Sequence, residues 1–222
     1  MNSTRKLWIG LATLLIASFA VLLWVGSETY RQAPPMPEQV VSTDGSVVYT
    51  RKDIETGRQV WQSIGGQQLG SIWGHGGYVA PDWGADWLHR EAESILDLWA
   101  AREHGVDSYK KLDEATQASY AKRVQGLMRP NTHDPAQAIA SVASHYQRLF
   151  SNDASTAVLR EAYAMRNDTV PDAEHRRQLT AFYWWAAWAS ITERPGSDIT
   201  YTANWPHDEL VGNTPASNLL LW

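Results

Sequence analysis

The sequence predicts a mainly α-helical protein in which one transmembrane helix precedes a hydrophilic domain with minor short strands. Three observations predict this class. Residues 7–25 form an apolar segment without a charge, long enough to cross a bilayer as a helix. The residues after it contain several stretches of helical periodicity, separated by glycine and proline. Tryptophan is frequent, at 12 of 222 residues, and gives the chain a large aromatic surface to bury.

The apolar segment, LWIGLATLLIASFAVLLWV, is best explained as a membrane anchor. Trp8 and Trp24 lie near its two ends, about 24 Å apart along a helix, where interfacial aromatic residues are common. Arg5 and Lys6 precede the segment, so the positive-inside rule places the N-terminus in the cytoplasm and the main domain outside. A cleaved signal peptide is the alternative, but the following WVGSET is a poor cleavage site.

The chain is predicted to consist of five segments. The Pro-rich stretch QAPPMPEQ is expected to be a semi-extended spacer between the membrane and the domain. The segments are a cytoplasmic tail (1–6), the transmembrane helix (7–25), a linker (26–44), an external domain (45–213) and the start of a further membrane helix (214–222).

Capping residues and apolar stripes predict a series of helices within the external domain. Thr50 and Asp53 form a capping box, and Asp134 before Pro135 is typical of a helix start. The apolar run at 179–191 has 13 residues, too few to span a membrane, so we expect a buried or membrane-apposed helix. The predicted helices cover about 51–64, 82–104, 112–125, 135–150, 154–166 and 171–191, with short strands at 45–50 and near 199.

Composition excludes several classes of function. The formal net charge of −5 provides no basic surface for nucleic acid. The chain has no cysteine, which excludes disulfides, thiolate metal sites, cysteine nucleophiles and covalent haem attachment. The metalloprotease, serine-hydrolase and P-loop motifs are also missing from the sequence. The residues alone therefore predict no self-contained active site.

Two interpretations of the tryptophans remain open, a Trp-rich core and a surface that packs against membrane, cofactor or protein. The histidines are scattered. His89 and Glu93 are four residues apart, a spacing that places both side chains on one helix face. We interpret His89 and Glu93 as two polar side chains on the protein surface rather than as a metal site.

The stretch IGGQQLGSIWGHGG, residues 64–77, has six glycines in fourteen residues and is predicted to be loop or tight turns. Glycine lets a backbone approach a ligand closely, and carbonyl oxygens suit hard cations such as calcium. Tyr78 adds a hydroxyl group. The residues leave two interpretations open, a tight turn before a capped helix and a cation contact.

Three segments resemble the N-terminal part of quinol-dependent nitric oxide reductase, of the haem–copper oxidase superfamily: GSIWGHGGYVAPDWGADWLHREA (70–92), QLTAFYWWAAWASITERPG (178–196) and ITYTANWPHDELVGN (199–213). The resemblance implies a cytochrome c-like fold, placed in the periplasm of a bacterial inner-membrane enzyme. In the related cytochrome subunit, a CxxCH haem attachment precedes a similar glycine–tyrosine segment. The matching stretch here is GQQLG, at 66–70, so the resemblance implies a cytochrome c-like domain without haem.

The resemblance also implies candidate site residues. Gly76 and Tyr78 match the positions where a glycine carbonyl and a tyrosine help to hold a calcium ion that bridges haem propionates of the catalytic subunit. They are the predicted cofactor-binding and metal residues, and they need partner groups that this chain lacks. No catalytic residue is predicted.

The implied partners lie outside this chain. In the full enzyme a multi-helix catalytic portion holds haem b, haem b3 and a non-haem iron, and it joins two NO into N2O with quinol electrons. The resemblance also allows a homodimer of that enzyme. Because LLLW at the end resembles the start of a membrane helix, we expect this chain to be the N-terminal anchor and a structural cap, not itself catalytic.

Two alternatives belong to other functional classes. One is an independent membrane-anchored module that binds ligands on exposed tryptophans. The other is a degenerate electron-transfer domain that holds haem non-covalently through His75 or His89.

Overall fold

The computed structural model describes residues 3–130 and 134–215. The chain divides into two compact units, Met1–Pro35 and Met36–Trp222. The predicted mainly helical class is confirmed, with one long apolar helix at the N-terminus and only short strands in the domain that follows. The predicted start of a further membrane helix falls largely on 216–222, outside the described residues.

The first unit is the helix α1, Ser3–Gln32. Its apolar side chains are exposed, and its span Thr4–Gln32 is long and apolar enough to cross a membrane, although a signal sequence passes the same test. The helix continues beyond residue 25 into the predicted linker. Glu28 accepts hydrogen bonds from Arg31 and Gln32, and such pairs one turn apart extend a helix past its apolar part.

The second unit contains the remaining elements. Two small antiparallel sheets pair β1 with β2 and β3 with β4. The strands are β1 (Gln39–Val41), β2 (Val47–Thr50), β3 (Ser71–Ile72) and β4 (His75–Gly76). The helices are α2 (Arg51–Ser63), α3 (Gly66–Leu69), α4 (Trp83–His104), α5 (Glu114–Met128), α6 (Ala136–Leu149), α7 (Ala157–Ala162) and α8 (Ala173–Ile191), with 3-10 turns at Tyr109–Lys111 and Ala154–Thr156.

Helix α8 lies at the centre of the domain, with α2, α4 and α6 packed around it. Leu179 to Ala187 are all buried, which agrees with the first of the two alternatives for this uniformly apolar run, a buried helix. Helices α2 and α8 approach each other closely at Gly57 of α2, since a Cβ there would lie 1.9 Å from the carbonyl oxygen of Gln178 in α8.

The predicted helix starts are largely confirmed. Thr50 and Asp53 form the capping box of α2, and Asp82 caps α4 by accepting from the amide of Ala85. At α6 the terminal residue before the helix is Pro135, but Asp134 still accepts from the amide of Ala136 at 2.9 Å. Side-chain oxygens at these positions satisfy amides that the first helical turn leaves unpaired.

Three predicted elements were wrong in extent. The helix predicted over 154–166 is a 3-10 turn followed by the short α7, because Ala164 adopts a φ of 51°, which leaves the helical region. The glycine-rich 64–77 contains α3 and the hairpin β3–β4 rather than loop alone. The strand predicted near 199 is reduced to one bridge between Glu193 and Thr200.

The tryptophans of the domain belong mainly to its core. Trp61, Trp83, Trp87, Trp184 and Trp185 are buried, whereas Trp205 is the exposed one among the described domain residues. The interpretation of a Trp-rich core is therefore confirmed for most of them.

Candidate functional site

The hairpin β3–β4 turns at Trp73 and Gly74, which both have positive φ, 54° and 81°. This conformation suits the glycine but is uncommon for a bulky side chain. Trp73 is held by a hydrogen bond from its indole N–H to the carbonyl of Ala186, at 2.9 Å, and by contact with the Trp185 ring at 5.4 Å. The hairpin is thus fixed to the central helix α8.

Asp82 holds the hairpin to the start of α4. Its Oδ2 accepts from the Ser71 hydroxyl and from the Gly74 amide, both at 2.7 Å. Its Oδ1 accepts from the Ala85 amide at 3.0 Å. The sequence predicted only that a helix begins near Asp82, because spacing along the chain does not show that this carboxylate also reaches the hairpin.

Both predicted site residues lie at the end of this hairpin. Gly76 is exposed and has a φ of 147°, and a Cβ there would lie 2.3 Å from the Gly70 carbonyl oxygen. Tyr78 is 86% exposed, and its hydroxyl lies 3.5 Å from the Gly74 carbonyl oxygen. The site therefore requires glycine at position 76 for both conformation and space.

Trp205 also belongs to this surface. A Cβ on Gly74 would lie 3.0 Å from the Trp205 indole nitrogen, and Trp205 remains 38% exposed. Val79, beside Tyr78, is 52% exposed. We call Tyr78, Val79 and Trp205 the hairpin face. The prediction missed Trp205, and its only signal was the NWPHD segment within the third of the resembling stretches.

Two buried asparagines hold the segment that carries Trp205. Asn213 donates to the carbonyl of Pro206 at 2.7 Å and to that of Ser190 at 3.3 Å. Asn204 receives the amide of Thr200 on its side-chain oxygen, at 3.0 Å. These contacts tie the irregular C-terminal segment to the end of α8.

The segment Gly66–Gly70, predicted to correspond to the haem attachment, lies directly on aromatic side chains. A Cβ on Gly66 would lie 2.2 Å from Trp61, and one on Gly70 would lie 2.7 Å from the Trp83 indole nitrogen. Trp83 in turn stacks on Tyr183, with ring centroids 5.5 Å apart. Aromatic rings therefore fill the space beneath this segment.

The histidines named as candidates have ordinary surroundings. His75 is exposed on β4. His89 lies between two carboxylates, with Nδ1 2.8 Å from Asp208 Oδ2 and Nε2 3.6 Å from Glu93 Oε1. Glu93 is the surface partner that the helical spacing predicted, and Asp208 is a second one. Among the described residues no three His, Cys, Asp or Glu side chains could together hold a metal ion.

A polar network lies at the edge of the aromatic interior. Asp86 accepts from the Tyr146 hydroxyl at 2.5 Å and from Arg90 at 2.8 Å. Burial raises the pKa of Tyr146 well above its ordinary value. Burial, helped by the positive charge of Arg90, lowers the pKa of the neighbouring His145 to about 4. These groups join α4 to α6 at the edge of the interior.

The fold and this surface define a mainly helical domain with a filled aromatic interior and an exposed aromatic face, preceded by a helix long enough to cross a membrane. The family of the NorB cytochrome c-like domain of nitric oxide reductase matches residues 37–207, and the chain belongs to this family. No curated protein matches the chain. Helix α1 and the family together indicate a membrane-associated component of a nitric oxide reductase.

Proposed function

We propose that this chain is the membrane anchor and periplasmic cap of a quinol-dependent nitric oxide reductase. The enzyme would join two NO molecules, two electrons and two protons into N2O and water. This chain would cover the outer side of the multi-helix catalytic portion and would not itself catalyse the reaction.

The hairpin face is the observation that carries this proposal. Most apolar side chains of the domain are buried, and few large ones are exposed. Three of them form the hairpin face, which Asp82 and Trp73 hold rigidly against the body of the domain. Exposed aromatic residues on a rigid support are typical of the centre of a protein interface.

The interior supports a structural role rather than electron transfer. The chain has no cysteine for covalent haem attachment, and the segment at the corresponding place rests on Trp61 and Trp83. Electrons would then reach the catalytic portion from membrane quinol, without passing through this domain.

A calcium ion at the boundary is part of the proposal. The Gly76 carbonyl and the Tyr78 hydroxyl are oxygen donors of the kind that calcium accepts, but calcium takes about six to eight oxygens. The fit is therefore partial, and haem propionates and side chains of the catalytic portion would supply the other ligands. When bound, calcium would offset negative charge between the two parts. Gly76 would keep the backbone close to that ion.

The orientation follows from charge. Arg5 and Lys6 precede the apolar helix and would keep the N-terminus in the cytoplasm. The domain would then stand on the periplasmic side of the bacterial inner membrane.

The experiment compares Trp205→Ala with Val158→Ala in the assembled reductase. Val158 is 82% exposed and lies on α7, away from the hairpin residues in sequence, so it is the matched control. We expect Trp205→Ala to reduce both the yield of assembled enzyme and NO consumption, and Val158→Ala to change neither. Equal yields of assembled enzyme and equal NO consumption in the two variants would contradict the proposal that this domain caps the catalytic portion.

A further inference from the structure

A concave site lies between the β1–β2 turn, α4, α5 and the first turn of α6. Its volume is about 570 Å³, within the range of about 300–1,000 Å³ that is usual for small-molecule sites. It shares no lining residue with the hairpin face, and the proposed cap function does not use it.

The floor of this cavity is apolar. Leu98, Trp99 and Leu127 line it and are only partly buried. Among the described residues this apolar surface is only partly covered, and a ligand with an apolar body would remove more of it from water.

One end of the rim is negative. Ser42 and the amide of Ser46 both donate to Asp44, and these hydrogen bonds lower the pKa of Asp44 to about 2. Thr43 donates to Asp134 through its amide and its hydroxyl. Those bonds lower the pKa of Asp134, while the nearby charge of Asp44 opposes them. Two ionised carboxylates thus lie close together at this end.

The other end of the rim is positive. Gln137 follows Asp134 by one helical turn and accepts a hydrogen bond from Arg102 of α4 at 2.5 Å. Arg102 is exposed, and among the described residues this is its one hydrogen bond to a side chain. The rim thus runs from two carboxylates, through an amide, to a guanidinium group.

We propose that this cavity binds a small zwitterion with an apolar body. Its ammonium group would face Asp44 and Asp134, its anionic group would face Arg102, and its apolar part would lie on the floor. An α-amino acid with an apolar side chain and an amine phospholipid, whose acyl chains are the apolar body, both have this chemistry. The arrangement uses each charged group of the rim.

The test is calorimetric titration of the full chain in detergent. The two probes are L-phenylalanine, for a free amino acid, and dihexanoylphosphatidylethanolamine, for a phospholipid with an amine. We expect at least one to bind, and the one that binds more tightly identifies the source. If L-phenylalanine binds, phenethylamine, which lacks the carboxylate, and 3-phenylpropionate, which lacks the ammonium group, should each bind more weakly.

Two charge-removing variants connect the binding to this cavity. Arg102→Gln and Asp44→Asn should each weaken binding about tenfold, the usual effect of losing a hydrogen bond to a charged group. Arg58→Gln and Asp107→Asn remove exposed charges elsewhere and should leave binding unchanged. A thermal melt of each variant confirms that it is folded. The proposal is overturned if neither probe binds, or if the rim variants bind as well as the controls.

Discussion

Two aromatic regions of this domain have opposite surroundings. Beneath Gly66–Gly70, Trp83 and Tyr183 are at most 1% exposed and stack with centroids 5.5 Å apart. On the hairpin face, Tyr78 is 86% exposed. The same residue types stabilise the fold in the first region and remain available for contact in the second. The number of aromatic residues therefore does not separate these two regions, whereas their exposure does.

The largest effect should come from Trp83→Ala. Removal of a buried Trp leaves a cavity and typically costs about 3–5 kcal/mol of unfolding free energy. Trp205→Ala should cost less, about 2 kcal/mol, because 38% of that residue is already in water and its loss leaves no closed cavity. Thermal unfolding followed by near-ultraviolet circular dichroism compares the two variants. Equal losses of unfolding free energy would contradict the distinction between the aromatic interior and the hairpin face.

A pair of glycines tests how tightly the interior is packed. At Gly57 a Cβ would lie 1.9 Å from a backbone oxygen of α8, whereas at Gly126 it would meet nothing within 4 Å. Gly57→Ala should therefore cost about 1–3 kcal/mol, and Gly126→Ala should stabilise α5 by about 0.5 kcal/mol. Melting temperatures measure both changes, and a tolerated Gly57→Ala would show that α2 and α8 are free to separate.

The stability of the domain should depend on pH through His145, which lies at the edge of the aromatic interior. Burial and Arg90 lower its pKa from 6.5 to about 4, so the unfolded chain binds a proton in this range before the folded chain does. The contribution of neutral His145 to the free energy of unfolding is therefore complete above pH 6.5 and is lost as the pH falls towards 4. The free energy of unfolding of the protein and of His145→Gln, measured at several pH values, tests this dependence. Between pH 6.5 and 4 the variant should lose less stability than the protein.

The smallest effect should be the spectral change when haem is added to the protein. Because aromatic rings fill the space beneath Gly66–Gly70, we expect the full chain to show no shifted Soret band when it is mixed with haemin. His75→Ala and His89→Ala would then change nothing. A ligated Soret band that either variant removes would favour the electron-transfer alternative instead.

Much of the helical framework could be predicted from the sequence. Thr50, Asp82 and Asp172 each precede an apolar helical pattern and cap the helix that follows. These signals are local, so neighbouring residues suffice to recognise them. The uniform apolarity of 179–191 predicted a buried or membrane-apposed helix, and all of this run except Trp188 is buried.

The hairpin face could be predicted only in part. The strands β3 and β4 have two residues each, too few for an alternating pattern to be recognised. Trp205 reaches the hairpin from a distant part of the chain, through a segment held by Asn204 and Asn213. Such contacts depend on tertiary packing, which local patterns do not encode.

Site-specific photo-crosslinking tests the central claim, that the hairpin face meets the catalytic portion of the reductase. A photoreactive phenylalanine analogue would replace Tyr78 in one variant and Val158 in the other, since both side chains are more than 80% exposed. After irradiation of membranes that contain the enzyme, mass spectrometry would identify the crosslinked peptides. We expect crosslinks to the catalytic helices from position 78 and none from position 158. Crosslinks from position 158 alone, or from neither position, would contradict the account.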